Sequence, residues 1–161
     1  MTDLESQFAG TQDVLEKHRF SVGNLQDYMS AHVDGFSGDI KLSQFKGGQS
    51  NPTYRIDADG QVFVLRRKPP GELLPSAHAV DREYRVISAL GQTDVPVPRT
   101  YCLCEDTEVI GTAFYIMEMV QGRVFWDGTL PGMSNEDRGS VYRLVNEAMA
   151  ALHRVDYQAI G

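Results

Sequence analysis

Pro69-Pro70-Gly71 and Pro75 impose the tightest constraint on what this 161-residue chain can fold into. Proline lacks the ladder donor and fixes its own φ, so no sheet pairs through this stretch. Any sheet built before residue 69 must end there, and a new element must start beyond it. Before the break, residues 40–46, 53–57 and 61–67 form short β-rich runs. The last two are joined by Asp57-Ala58-Asp59-Gly60, and aspartate followed by glycine at such a junction predicts a hairpin. After the break, residues 76–90 read as a helix, with Val80, Tyr84, Ile87 and Leu90 on one stripe and Gly91 placed to end it.

Pro96 and Pro98 lead into a second predicted hairpin, residues 100–104 with 109–120. Its second strand is a largely apolar run, as expected for burial on both faces. Toward the N-terminus, Leu25, Tyr28, Met29 and His32 recur at helical spacing, with Asn24 available as a cap, and a weaker helix is expected around residues 13–18. Near the other end, Ser134 and Asp137 form a box-like helix start. Val141, Leu144, Val145, Ala148, Met149 and Leu152 follow at amphipathic spacing. Helices, three strands, a helix, two strands and a helix, joined by hairpin-length turns, predict an α+β lobe. It would hold an antiparallel sheet of about five strands with a helix packed on it.

Fifteen basic against 22 acidic residues leave a net charge of −7, which offers no basic field for a nucleic-acid backbone or an anionic membrane. Residues 1–20 lack the apolar core of a signal peptide, and no stretch approaches a membrane span, so a cytoplasmic location is expected. Cys102 and Cys104, two apart in a strand-like run, share a face and read as reduced packing residues. His18, His32, His78 and His153 show no ligand spacing and read as ordinary surface or helix residues.

Four features carry possible chemistry. The turn Gly47-Gly48-Gln49-Ser50-Asn51 lies between the first two strands, where glycines let the backbone approach a phosphate. Alone, such a glycine pair with polar neighbours is more often only a turn, and it lacks the Gly-Lys-Ser/Thr of a Walker loop. Arg66 shares a strand face with Val62 and Val64 and can reach into a cleft; the alternative is that Arg66, Arg67 and Lys68 are a solvated strand exit. Glu83 falls on the inward stripe of the 76–90 helix, where a carboxylate needs a partner, and Arg66 is the available one. Otherwise Glu83 sits at the stripe's edge and reaches water. The run from Phe114 to Gly122 is an apolar strand ending in a glycine, suited to a hinge or simply to the core.

In this order the four features follow the N-lobe of the protein-kinase-like fold. The wording around them, Phe45 to Tyr54, Phe63 to Gly71, Arg82-Glu83-Tyr84, Val95-Pro96-Val97-Pro98, Tyr115 to Glu118 and Ala151 to Asp156, resembles the aminoglycoside phosphotransferase and choline kinase-like family. The likeness is strongest to the branch related to acyl-CoA dehydrogenase fusions, and it covers nearly all of the chain beyond the N-terminal helices. It implies a helical extension over 1–35, a nucleotide-binding lobe over 36–122, and the hinge exit with the first helix of a C-lobe over 123–161.

It further implies ATP with Mg²⁺ as cofactors and transfer of the γ-phosphoryl group to a hydroxyl of a small molecule. By position, Gly47, Gly48, Gln49, Ser50 and Asn51 would cover the phosphates, and Arg66, paired with Glu83, would stand where protein kinases carry lysine. The backbone of Glu118 and Val120 would hold adenine, with Met117 behind it. Arginine keeps the charge of that lysine and changes its geometry.

The family's catalytic His-Gly-Asp and its later metal-binding Asp do not occur in this sequence. Without base and metal ligands, phosphoryl transfer loses its main sources of acceleration. The expectation is therefore an ATP-binding portion that is inactive alone, with acceptor and Mg²⁺ sites in an absent C-lobe and with self-association through the exposed inter-lobe face. The rival reading is a non-catalytic partner-binding or nucleotide-sensing module on the same lobe.

Overall fold

The computed structural model describes residues 9–47, 50–71 and 77–160. Strands β1 (Thr11–Gln12), β2 (Lys41–Phe45), β3 (Thr53–Ala58), β4 (Gln61–Arg67), β5 (Thr100–Cys104) and β6 (Phe114–Glu118) form one antiparallel sheet in the order β1-β2-β3-β4-β6-β5. The expected five strands are present, and β1 is a sixth that two residues are too short to announce. The helices are α1 (Val22–His32), α2 (Val80–Leu90), α3 (Thr107–Ile110), α4 (Asn135–His153) and α5 (Tyr157–Ile160). Among the described residues no helix is long and apolar enough to cross a membrane.

The β3–β4 hairpin closes through Asp59 and Gly60, with φ of 47° and 78°. Two consecutive left-handed residues match the right-handed twist of the flanking strands. From this turn the alternation runs out along β4: Phe63, Leu65 and Arg67 go to one face, Val62, Val64 and Arg66 to the other. On the first face, Leu25 and Met29 of α1 meet Tyr54, Ile56, Phe63, Leu65, Phe114 and Ile116 in the principal core. Each such side chain stabilises the fold by about 1.5–3 kcal/mol relative to exposure. On the second face Val80 of α2 meets Tyr115 and Ala113, with Tyr84, Ile87 and Met117 around them.

The sheet is therefore covered by helices on both faces, where one packed helix was expected. Segment 1–35, read as an extension, contributes Leu25 and Met29 to the same core as the sheet. Cys102 and Cys104 are free, buried and on the α1 face together. Burial is the main cause that pushes the Cys102 thiol up to about 12.

Several local expectations need correction. The α1 cap is Ser21, whose Oγ accepts from the Asn24 N–H at 3.2 Å; the Asn24 side chain instead donates to Val109 O at 3.2 Å. The weak helix near residue 13 is a 3-10 turn, Glu16–His18. The predicted strand 109–120 starts only at Phe114, because Asp106 caps the short α3 and Gly111, at φ 86°, ends it. Helix α2 begins at Val80, and the predicted start at Ser76 lies outside the described residues. At α4 the Ser134–Asp137 box forms as read: the Asp137 N–H donates to Ser134 Oγ at 3.1 Å, and Ser134 Oγ donates to Asp137 Oδ2 at 2.7 Å. The α4 residues Leu144, Val145, Met149 and Leu152 are all exposed.

Candidate functional site

Arg66 leaves β4 on the α2 side of the sheet, and Glu83 comes toward it from the first turn of α2. Arg66 Nε donates to Glu83 Oε2 at 2.7 Å. Nη2 reaches Oε1 at 3.5 Å, and Nη1 donates to Thr53 Oγ1 at 3.2 Å on the paired strand. A fork held on two sides fixes the guanidinium plane. Both side chains remain about one-third accessible, so the pair faces open space and not the core.

The carboxylate has two further donors. Tyr115, the cross-strand neighbour of Arg66, donates its hydroxyl to Glu83 Oε2 at 3.2 Å. Burial first, then the Glu83 charge, pushes the Tyr115 hydroxyl well above its usual range, so it stays a donor. Asn51, only 3% exposed, donates from Nδ2 to Glu83 Oε1 at 2.9 Å. Its own Oδ1 lies 2.8 Å from His78 Nδ1. The carboxylate thus collects donors from β4, β6 and the β2–β3 turn, which ties three elements to α2.

The expected pairing of Arg66 with Glu83 is formed, and Asn51 of the glycine turn is drawn into it. Gly47 and Ser50 flank the turn; Gly48 and Gln49 lie outside the described residues. Residues the sequence reading did not find are Thr53, Tyr115 and His78. Thr53 and Tyr115 are the direct cross-strand partners of Arg66, so strand register carries that signal. By its spacing His78 reads as an ordinary surface or helix residue. Its imidazole instead bonds the site's buried amide, and its φ of 57° is left-handed, which no period in the sequence announces. The solvated-exit reading of Arg67 also fails, since that side chain is buried on the α1 face.

A cleft of about 960 Å³ opens beside the pair, lined by Phe45, Thr53, Val64, Met117, Glu118 and Val120. A second hollow of about 660 Å³ contains Arg66, Glu83, Tyr115 and Ile87. Met117 borders both, so its side chain stands between the cleft and the ion pair. At the strand end the Glu118 N–H donates to Arg99 O at 2.8 Å, which fixes the chain where it leaves β6. Val120 follows outside the strand and is 60% exposed, and among the described residues its N–H has no partner. An apolar cleft with a free main-chain donor at its rim, beside a hollow that holds a fixed guanidinium, can hold a flat heterocycle whose anionic tail extends toward that cation. Among the described residues no group of three or more His, Cys, Asp or Glu side chains could hold a metal ion.

Comparisons with known proteins bear on the family and the fold. The model of the phosphotransferase enzyme family matches residues 41–161. The chain is 50% identical over 152 residues to a probable acyl-CoA dehydrogenase, IBR3, of Arabidopsis thaliana, covering 89% of this chain and 18% of that protein. It is 43% identical over 152 residues to human acyl-CoA dehydrogenase family member 11, covering 92% of this chain and 20% of that protein. The crystal structure of a candidate aminoglycoside phosphotransferase from Ralstonia eutropha superposes with a TM-score of 0.78 at 52% identity, over 89% of this chain and 41% of that one. The chain thus spans about a fifth of the length of these curated relatives. With the family model covering most of its residues, and with the antiparallel sheet and helices of a kinase-like lobe, the chain belongs to the phosphotransferase enzyme family.

Proposed function

We propose that this chain is the ATP-binding portion of a small-molecule kinase, one that transfers the γ-phosphoryl group of ATP to a hydroxyl. The observation that carries the reading is the 2.7 Å Arg66–Glu83 ion pair, which lines a hollow that shares Met117 with the adjoining apolar cleft. The carboxylate orients the cation and leaves its remaining donors to meet phosphate oxygens. In this reading adenine lies between Val64 and the strand end, with Glu118 O accepting from its amino group and Val120 N–H donating to its ring. Met117 closes the back, and the turn from Gly47 to Asn51 covers the phosphates.

Magnesium would supply charge neutralisation on the β- and γ-phosphates when bound. The described residues offer it no ligand set, so it would be held by the nucleotide and by residues outside this chain. The sequence also has no His-Gly-Asp to supply a base. We therefore propose binding without turnover by these 161 residues.

Calorimetric titration of Mg-ATP into the chain, with Arg66→Ala and Glu83→Ala variants verified as folded by circular dichroism, tests the reading. Saturable binding weakened at least tenfold by Arg66→Ala is expected, the size of a charge-assisted contact of roughly 1.5–3 kcal/mol. Absence of binding by the folded wild-type chain would move the non-catalytic module ahead. ATP consumption in the presence of hydroxyl acceptors would overturn the claim of inactivity.

A further inference from the structure

His78 stands just before α2, outside the strands that frame the cleft, and two independent observations single it out. Its backbone holds a left-handed φ of 57°, a conformation that costs an L-residue free energy and persists only when its surroundings require it. Its Nδ1 also lies 2.8 Å from the Oδ1 of Asn51, a side chain almost wholly removed from solvent.

The protons in this chain of contacts follow from its far end. The Glu83 carboxylate accepts from Arg66 and from the Tyr115 hydroxyl, so it is the acceptor toward Asn51 as well. The Asn51 amide must then turn its NH₂ to Glu83 and its oxygen to His78. An amide oxygen only accepts, so His78 Nδ1 carries the hydrogen and donates it. His78 thereby braces the far side of the Asn51 amide, Asn51 supplies a donor to Glu83 Oε1, and Glu83 holds the Arg66 fork.

We propose that His78 is a positioning residue for the Arg66–Glu83 pair, acting through Asn51, which lies just ahead of β3 and which it ties to the start of α2. Its consequence for ligand binding rests on the nucleotide reading of the cleft given above. The placement has a purpose that packing alone lacks. Asn51 is joined to helix α2 and to the residue leading into it by polar contacts, and it is the single described residue that bonds both His78 and Glu83. Without His78 the Asn51 amide keeps only its bond to Glu83 and loses the second contact that holds its place, which loosens the donor set around Glu83 and with it the Arg66 fork.

Two substitutions separate the bond from the backbone conformation. His78→Gly accepts the left-handed φ without strain and removes the donor. His78→Asn also tolerates that φ and places an amide N–H where Nδ1 stood. In the ligand-free chain, ¹H–¹⁵N spectra report the Asn51 side-chain NH₂ and the Arg66 Nε–H directly. The expected result is loss of exchange protection and altered shifts for both in His78→Gly, with recovery in His78→Asn. Mg-ATP affinity should fall roughly three- to tenfold in His78→Gly, the size of one hydrogen bond, and return in His78→Asn.

Unchanged Asn51 and Arg66 signals in His78→Gly would overturn the proposal, as would equal loss in the glycine and asparagine variants. Unaltered affinity in His78→Gly, with the wild-type chain binding normally, would overturn its functional half. A wild-type chain that binds no ATP would instead remove the nucleotide reading, and the ligand-free spectra would still decide whether His78 sets the pair.

Discussion

Arg66 and Arg67 are neighbours in sequence with opposite surroundings. Arg66 faces the hollow beside α2 with a carboxylate and a threonine as partners, whereas Arg67 turns into the α1 face, 5.1 Å from the centroid of the Phe20 ring. Arg67 Nε donates to Lys68 O at 3.3 Å, and among the described residues its buried Nη1 has no hydrogen-bond partner. Burial accordingly lowers its pKa. A buried charge without an anion is costly, and the stacking on Phe20 recovers only about 1 kcal/mol or so. Arg67→Met, which keeps the length of the stem, should therefore unfold in urea at the same or a higher midpoint, with a gain of about 1 kcal/mol. A loss of more than about 2 kcal/mol would show that the guanidinium is needed where it lies.

Strand alternation made Arg66 readable and hid Arg67, since a second charge at the end of a strand looks like an exit to water. His78 was hidden for a different reason. A single left-handed residue ahead of a helix breaks every period that sequence reading relies on.

At the level of elements, the turns and caps decide where segments begin. The Asp59-Gly60 turn was legible because its two left-handed residues have a chemical signature. An added Cβ at Gly60 meets nothing within 4 Å, so substitution there tests backbone conformation without steric overlap. Gly60→Val should cost about 1–2 kcal/mol in urea unfolding, and Gly60→Asn distinctly less, since asparagine visits this region. Equal stability of the two variants would mean that the turn does not set the hairpin.

By contrast, the strand predicted from residue 109 fails because Val109 and Ile110 are apolar residues that suit either period. The competition is decided by Asp106, whose carboxylate accepts from the Glu108 N–H at 2.9 Å and starts a helical turn. The sixth strand, with two residues, pairs only because β2 presents its edge at Gln44 and Phe45. Long-range geometry of that kind leaves no local trace.

Across the whole molecule, helices on both sides of the sheet place several acidic groups in neutral burial. Desolvation is the leading cause that raises Cys102 to about 12, and it likewise raises Cys104, Tyr28, Tyr54 and Tyr115. These groups lose a proton on becoming charged, and their folded pKa lies above the unfolded one. Their contribution is therefore complete below the unfolded values, about 8.5 for thiols and 10 for phenols, and is lost as pH rises toward the folded values. Urea midpoints should be level between about pH 7 and 8 and fall steadily above about pH 8.5. A midpoint that is constant or rising to pH 10 would contradict the burial described.

The two-sided architecture was only half legible, because the apolar stripe of α2 pointed to a sheet while nothing in α1 told which face it would cover. The ion pair was legible from the alternation of β4 and the stripe of α2 together. Its supporting donors depend on register and on a buried amide, which appear only once the sheet is assembled.

In the reading proposed above, ATP lies between the end of β6 and the Arg66–Glu83 pair, and a ¹H–¹⁵N titration of the folded chain with a non-hydrolysable Mg-ATP analogue tests that placement directly. The largest saturable changes are expected at Val120 N–H, Gly47 N–H and Arg66 Nε–H, with the α1 face unmoved. Changes confined to other surfaces, or none at saturating nucleotide, would contradict it.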